Sequence, residues 1–69
     1  MNTEQLKGHW NEFKGKVKEQ FGKITDDDLQ IINGKIDQLV GKMQQYYGLS
    51  KEQAKKEIDN LYSRLDKAA

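Results

Sequence analysis

The stretch Gly8–Gly22, with the sequence GHWNEFKGKVKEQFG, decides how this chain folds. Its large apolar residues are spaced three or four apart, which places them along one side of an α-helix. They are Trp10, Phe13, Val17 and Phe21. Gly8, Gly15 and Gly22 are seven residues apart and lie nearly opposite that apolar side. The stretch therefore predicts an amphipathic helix with glycines on its outer face.

The same arrangement occurs again in the second half of the chain, where glycines spaced by seven residues alternate with apolar residues. The glycines are Gly34, Gly41 and Gly48, and the apolar residues are Ile36, Leu39, Val40, Met43, Tyr46 and Tyr47. A further apolar stripe at helical spacing follows near the C-terminus. It consists of Ala54, Ile58, Leu61, Tyr62 and Leu65. We expect these stripes to form one core, and its predicted central residues are Trp10, Phe13, Val17, Phe21, Leu39, Met43, Ile58 and Leu61.

Local signals divide the chain into four predicted helices. Helix 1 covers about residues 4–21 and is ended by Gly22 in a left-handed conformation. Thr25 is a predicted N-cap for a short helix over 26–32, which Asn33 and Gly34 end. A third helix covers about 35–47 and ends at Gly48. The fourth begins after the predicted N-cap Ser50, with Gln53 as its capping-box partner.

The two halves of the chain share this order of signals. We therefore predict an all-α fold of two packed αα-hairpins, about 4–33 and 34–66, that arose by internal duplication. With 69 residues, the chain is expected to form a single small domain over residues 1–69.

Composition narrows the possible environment and partners. The chain has a net charge of +1, 33% charged residues, a mean hydropathy of −1.00 and no cysteine. It has no apolar run of membrane-spanning length and no signal-peptide pattern, so we expect a cytoplasmic protein. Because acidic and basic residues are nearly balanced, a nucleic-acid partner is disfavoured.

Residues 10–28, WNEFKGKVKEQFGKITDDD, resemble the signature of the CsbD-like family, small bacterial stress-response proteins of the YjbJ type. The likeness continues through Gly34-Lys35, the segment 37–42 and Tyr47-Gly48. Two positions depart from the family pattern, His9 in place of Asn and Ile24 in place of Leu, and the chain after Leu49 matches loosely. The resemblance implies a small helical fold and induction under general or osmotic stress, with no enzymatic activity and no defined ligand.

Few residues carry a chemical motif. The run Asp26-Asp27-Asp28 could attract a cation, but it also complements the dipole at the start of a helix, and we favour the second interpretation. His9 and Glu12 are one turn apart and are too few for a zinc site. We expect no catalytic residues, no cofactor and no bound metal. The aromatic residues could stack nucleic-acid bases, but their helical spacing favours the core.

The remaining candidates are surface positions. Gly15 and Gly41 are in mid-helix, where each costs about 1 kcal/mol relative to alanine. Close approach of another helix or molecule, tolerated marginal stability, and drift at a surface position each explain that cost. The predicted interaction surface comprises Gly8, Gly15, Gly41, Lys14, Lys16 and Lys18.

These features predict a non-enzymatic stress-response protein that acts by binding or as a hydrophilic protectant. An unknown protein or a second copy of the chain is the expected partner. The alternative is an adaptor for nucleic acid or for an anionic membrane surface that uses the helix 1 lysines.

Overall fold

The computed structural model describes the backbone of residues 3–68 and the side chains of residues 3–65. Residues 1, 2 and 69, which the predicted domain includes, lie outside the described residues. Every regular element in the described part of the chain is an α-helix. In chain order, these helices are α1 (Thr3–Gly8), α2 (Trp10–Gln20), α3 (Asp26–Ile32), α4 (Ile36–Tyr47) and α5 (Lys51–Ala68).

The predicted first helix is divided at His9, so the described chain has five helices where the sequence predicted four. The backbone N–H of His9 donates to the carbonyl of Leu6 at 3.1 Å, in a tight turn between α1 and α2. Gly8, the last residue of α1, is a poor helix former, which favours a break at this point. The Leu6 side chain is completely buried, so the short α1 is held against the core.

The end of α2 also differs from the prediction, because Gly22 does not take the left-handed conformation. The helix ends one residue earlier, where Phe21 is the C-cap with φ −125° and ψ 73°. A turn follows in which the N–H of Ile24 donates to the carbonyl of Phe21 at 3.0 Å. Leaving the helix at Phe21 allows both of these apolar side chains to be buried.

The turn between α3 and α4 requires glycine for two reasons. Asn33 and Gly34 both have positive φ, 44° and 84°, a region that glycine enters without steric cost. In addition, a Cβ at Gly34 would lie 2.7 Å from Cγ and 3.1 Å from Cα of Lys7. The turn is thus packed directly against α1. Gly48 ends α4 in the left-handed conformation, with φ 66°.

Helix α5 packs against both α2 and α4, and α3 packs against α4. The helices enclose one apolar cluster, which forms the core of the molecule. The molecule measures 31 × 24 × 21 Å. Its buried members are Leu6, Trp10, Phe13, Val17, Phe21, Ile24, Leu29, Ile32, Leu39, Val40, Met43, Ala54, Ile58 and Leu61. Ile31 is different, since it lies on the outer face of α3 with 65% of its surface exposed.

Candidate functional site

A buried carboxylate, Asp28, joins the start of α3 to the C-terminal half of α4. Its Oδ2 accepts a hydrogen bond of 2.7 Å from the hydroxyl of Tyr46, and its Oδ1 lies 3.4 Å from Nζ of Lys42. Asp28 is 7% exposed, and among the described side chains it is the only charged one that is buried. We refer to Asp28, Tyr46, Lys42 and Thr25 as the Asp28 cluster.

Thr25 completes this cluster through a reciprocal capping box. The N–H of Asp28 donates to Oγ1 of Thr25 at 3.1 Å, and the N–H of Thr25 donates to Oδ2 of Asp28 at 3.2 Å. Two backbone N–H groups at the helix start are satisfied in this way. The Asp28 carboxylate therefore caps α3 and also anchors α4.

The hydrogen bonds of the Asp28 cluster fix its protonation state. The Tyr46 hydroxyl, followed by the Thr25 N–H, lowers the pKa of Asp28 from 3.8 to about 2, against the opposing effect of burial. The same hydrogen bond to Asp28 raises the pKa of Tyr46. Near neutral pH Asp28 is thus ionised and Tyr46 is protonated. Both groups already form hydrogen bonds within the protein, so this arrangement suits a structural contact between α3 and α4 rather than proton transfer.

Ser50 forms a second capping box at the start of α5. The N–H of Gln53 donates to Oγ of Ser50 at 3.1 Å, and the N–H of Ser50 donates to Oε1 of Gln53 at the same distance. Unlike the box at Thr25, this one is exposed, and its side chains have no further hydrogen bond or ion pair among the described residues. Its contribution is therefore local to α5.

The three glycines of the predicted interaction surface lie on the outside of the molecule. Gly8, Gly15 and Gly41 are exposed, and a Cβ at any of them would meet no atom within 4 Å beyond the neighbouring backbone of its own helix. No described part of the same chain approaches them closely. They belong to α1, α2 and α4, so they do not form a stripe along one helix.

The three lysines of that surface lie in different surroundings. Lys18 forms an ion pair of 2.7 Å with Asp26, and Nζ of Lys16 lies 4.0 Å from Glu19. Lys14 is half-buried beside the groove between α2 and α3. Acidic neighbours thus offset much of the positive charge that the sequence places on α2.

The predicted core residues all lie on the inner sides of their helices. Trp10 and Phe21 are each 8% exposed, and the others are 3% exposed or less. Tyr62 packs against two aromatic rings at the start of α2. Its ring centroid lies 5.8 Å from that of His9, the N-cap, and 6.2 Å from that of Phe13. The aromatic side chains therefore pack against one another and against the core.

The sequence profile of the CsbD-like family matches residues 4–56, a span that contains the Asp28 cluster and most of the core. The chain belongs to the CsbD-like family. This CsbD-like chain is 59% identical over 66 residues to the UPF0337 protein YjbJ of Escherichia coli O6:H1, and the match covers 96% of each chain. It is 62% identical over 58 residues to the YjbJ protein of Escherichia coli K12, with 84% of each chain covered. A UPF0337 protein of Rhodopseudomonas palustris is 49% identical over 65 residues, which is 94% of this chain and 98% of the relative.

The acidic and histidine candidates of the CsbD-like chain are not gathered into a metal centre. Among the described residues, no group of three or more His, Asp or Glu side chains could hold a metal ion. Asp26 and Asp28 have different partners, Lys18 and Tyr46, as expected for positions two residues apart at a helix start, which point in different directions. His9 is exposed, and its ring contacts Tyr62.

None of the described helices combines the length and the apolar character needed to cross a membrane.

The sequence analysis missed the Asp28 cluster as a unit, although it identified Thr25 as a cap. Lys42 and Tyr46 are four residues apart and therefore lie on the same side of α4. That spacing, beside an otherwise apolar stripe, was the available signal for a polar partner on another helix. What it could not show is which of the three consecutive aspartates faces α4.

Proposed function

We propose that this CsbD-like protein is a non-enzymatic bacterial stress-response protein of the cytoplasm. It acts stoichiometrically, by binding a protein partner or as a hydrophilic protectant. Membership of the family carries this proposal, because the family resemblance links such chains to general or osmotic stress and to no reaction. The composition supports it, since a chain with a mean hydropathy of −1.00 and 33% charged residues presents a strongly hydrated surface.

The exposed glycines support binding over a purely bulk effect. Gly15 and Gly41 have room for a methyl group, yet glycine at each position costs about 1 kcal/mol in helix stability relative to alanine. Close approach of a second molecule would account for that cost, because a glycine lets another backbone come nearer than any other residue does. The interaction surface of Gly8, Gly15, Gly41, Lys14, Lys16 and Lys18 is thus the part of the molecule that we assign to binding.

The two halves of the domain are proposed to descend from one hairpin. Thr25 and Ser50 both begin helices with capping boxes, and each follows an apolar residue, Ile24 or Leu49, that packs on the core. This supports a single domain over 1–69 with hairpins of about 4–33 and 34–66.

The binding and protectant modes give different results in one experiment. The Gly15→Ala/Gly41→Ala protein and the parent would each be used to capture partners from stressed bacterial cells. A binding mode predicts that a specific partner is retained by the parent and reduced with the double variant. A protectant mode predicts equal cell survival for both proteins at equal amounts. Survival that is unrelated to the presence of either protein would overturn the proposed function.

The adaptor for nucleic acid or anionic membranes is the weaker candidate, because Lys16 and Lys18 already have acidic neighbours. Charge reversal at Lys14, Lys16 and Lys18 tests it. Binding of the parent to duplex DNA or anionic vesicles at physiological salt, lost in that variant, would favour the adaptor.

A further inference from the structure

A polar groove runs between α2 and α3, and neither Asp28 nor Tyr46 lines it. Its base is formed by Trp10 and Leu29. Its walls carry amide and charged side chains from both helices: Asn11, Lys14, Asp26, Gln30 and Asn33. The groove exists because the main packing contacts of α2 are with α5, and those of α3 are with α4. A second opening shares Trp10, Asn11 and Asn33 and extends the groove toward His9.

The indole N–H of Trp10 is the group that marks this groove as a binding site. Trp10 is 92% buried, and its N–H donates to no acceptor among the described residues. Buried tryptophans ordinarily find a hydrogen-bond partner for this group. Among the described residues, no side-chain nitrogen or oxygen is both fully buried and without a hydrogen-bond partner. Because the indole nitrogen has no partner, it is not fully buried. The N–H must therefore reach solvent, and Trp10 lines both openings of the groove.

The walls of the groove indicate the chemistry of its ligand. Each of Asn11, Gln30 and Asn33 offers two donor hydrogens and one acceptor oxygen, and none of these side chains has a hydrogen-bond partner among the described residues. Hydroxyl groups both donate and accept, so adjacent hydroxyls of one molecule match such amides. The lining includes one basic and one acidic side chain, Lys14 and Asp26, and Asp26 is in addition paired with Lys18. Because these formal charges nearly balance, a neutral ligand is favoured over an ion.

We propose that this groove binds a small, neutral, polyhydroxylated molecule, a sugar or a linear polyol, with the Trp10 N–H donating to one of its hydroxyl oxygens. The groove shares Lys14, and its second opening shares Gly8, with the interaction surface, but Gly15 and Gly41 do not line it, and the inference does not depend on the proposed stress function. Because the groove is open and shallow, we expect weak binding, on the order of millimolar, as a few net hydrogen bonds provide.

The single tryptophan of the chain makes this proposal directly testable. The full chain would be labelled with ¹⁵N, and its one indole N–H resonance would be followed during titration with trehalose and, separately, with sorbitol. Glycine betaine, a neutral solute without hydroxyl groups, is the matched control. The proposal predicts a saturable shift with trehalose, sorbitol or both, and none with betaine. The two arms show whether the ligand is a sugar or a linear polyol.

Variants of the groove wall provide the second measurement. Asn11→Ala and Gln30→Ala alter exposed side chains and are expected to remain folded. Each should weaken binding about fivefold through the loss of a hydrogen bond. Gln44→Ala removes an exposed amide from α4, outside the groove, and should leave the affinity unchanged. The proposal is overturned if no saturable shift occurs, if betaine causes the same shift, or if Gln44→Ala weakens binding as much as Gln30→Ala does. Displacement of the sugar by inorganic phosphate would also contradict it, because it would show an anion site.

Discussion

Replacement of Gly15 and Gly41 by alanine should make the isolated protein more stable. Both residues are inside helices, neither has a positive φ, and an added Cβ at either would meet no atom within 4 Å. Alanine is the better helix former by about 1 kcal/mol at each position. The sites belong to different helices, so their effects should add to about 2 kcal/mol. For a domain of this size, that corresponds to a rise in Tm of roughly 8–16 °C.

Gly48→Ala is the matched control for this change. Gly48 is also exposed and also has open space around its Cα, but its φ is 66°. An alanine there must adopt the left-handed conformation, which costs about 1–2 kcal/mol. The same chemical substitution should therefore stabilise the protein at Gly15 and Gly41 and destabilise it at Gly48. Space alone does not distinguish these sites, and backbone conformation does.

Thermal unfolding would be followed by circular dichroism at low and high protein concentration, together with sedimentation. An increase in Tm of the dilute double variant, with reduced self-association or partner capture, would support the glycines as a contact surface. An increase in Tm with unchanged association and capture would show that they merely face solvent, and would refute the binding surface. If the double variant melts at or below the Tm of the parent, alanine does not stabilise these two helices as helix propensity predicts.

Three further predictions concern the core, the caps and the Asp28 cluster. Trp10→Ala should cost about 3–5 kcal/mol, comparable to the whole stability of so small a core, and circular dichroism should show loss of cooperative unfolding. Thr25→Ala and Ser50→Ala should each cost about 1 kcal/mol in denaturant titrations, and a larger loss at Thr25 would reflect its link to α4. Asp28→Asn should lower Tm at neutral pH. Because folding depresses the pKa of Asp28 to about 2, its contribution is complete above the ordinary value of 3.8 and is lost as the pH falls through 2. The Tm difference between parent and variant should therefore shrink over that range, and a difference that persists at pH 2 would contradict the assigned ionisation.

The sequence was most informative where a structural feature depends on neighbouring residues. Thr25 and Asp28 cap α3 because a hydroxyl and a carboxylate three residues apart can reach each other's backbone N–H groups. Gly48 ends α4 because glycine, which has no Cβ, adopts this positive φ without steric cost. The stripe beginning at Trp10 lies in the core because the period of a helix selects its apolar side independently of the final packing.

Features that depend on contacts between distant residues were not predictable in the same way. The helix ends at Phe21 rather than at Gly22, because burial of both Phe21 and Ile24 outweighs the preference of glycine for the C-terminal position. The partnership of Tyr46 with Asp28 spans 18 residues and requires the packing of α4 on α3. The groove that Trp10 lines likewise depends on how α2 and α3 lie relative to each other.

The most direct test of the proposed function is survival as a function of the cellular amount of this protein. A bacterial strain without its own CsbD-like proteins would express the chain at graded levels and then be exposed to osmotic stress. A stoichiometric binding protein or protectant predicts that survival rises in proportion to protein amount, and that the unfolded Trp10→Ala variant fails where binding is required. Full survival at a small fraction of the normal amount, as catalytic turnover would produce, would contradict a non-enzymatic function.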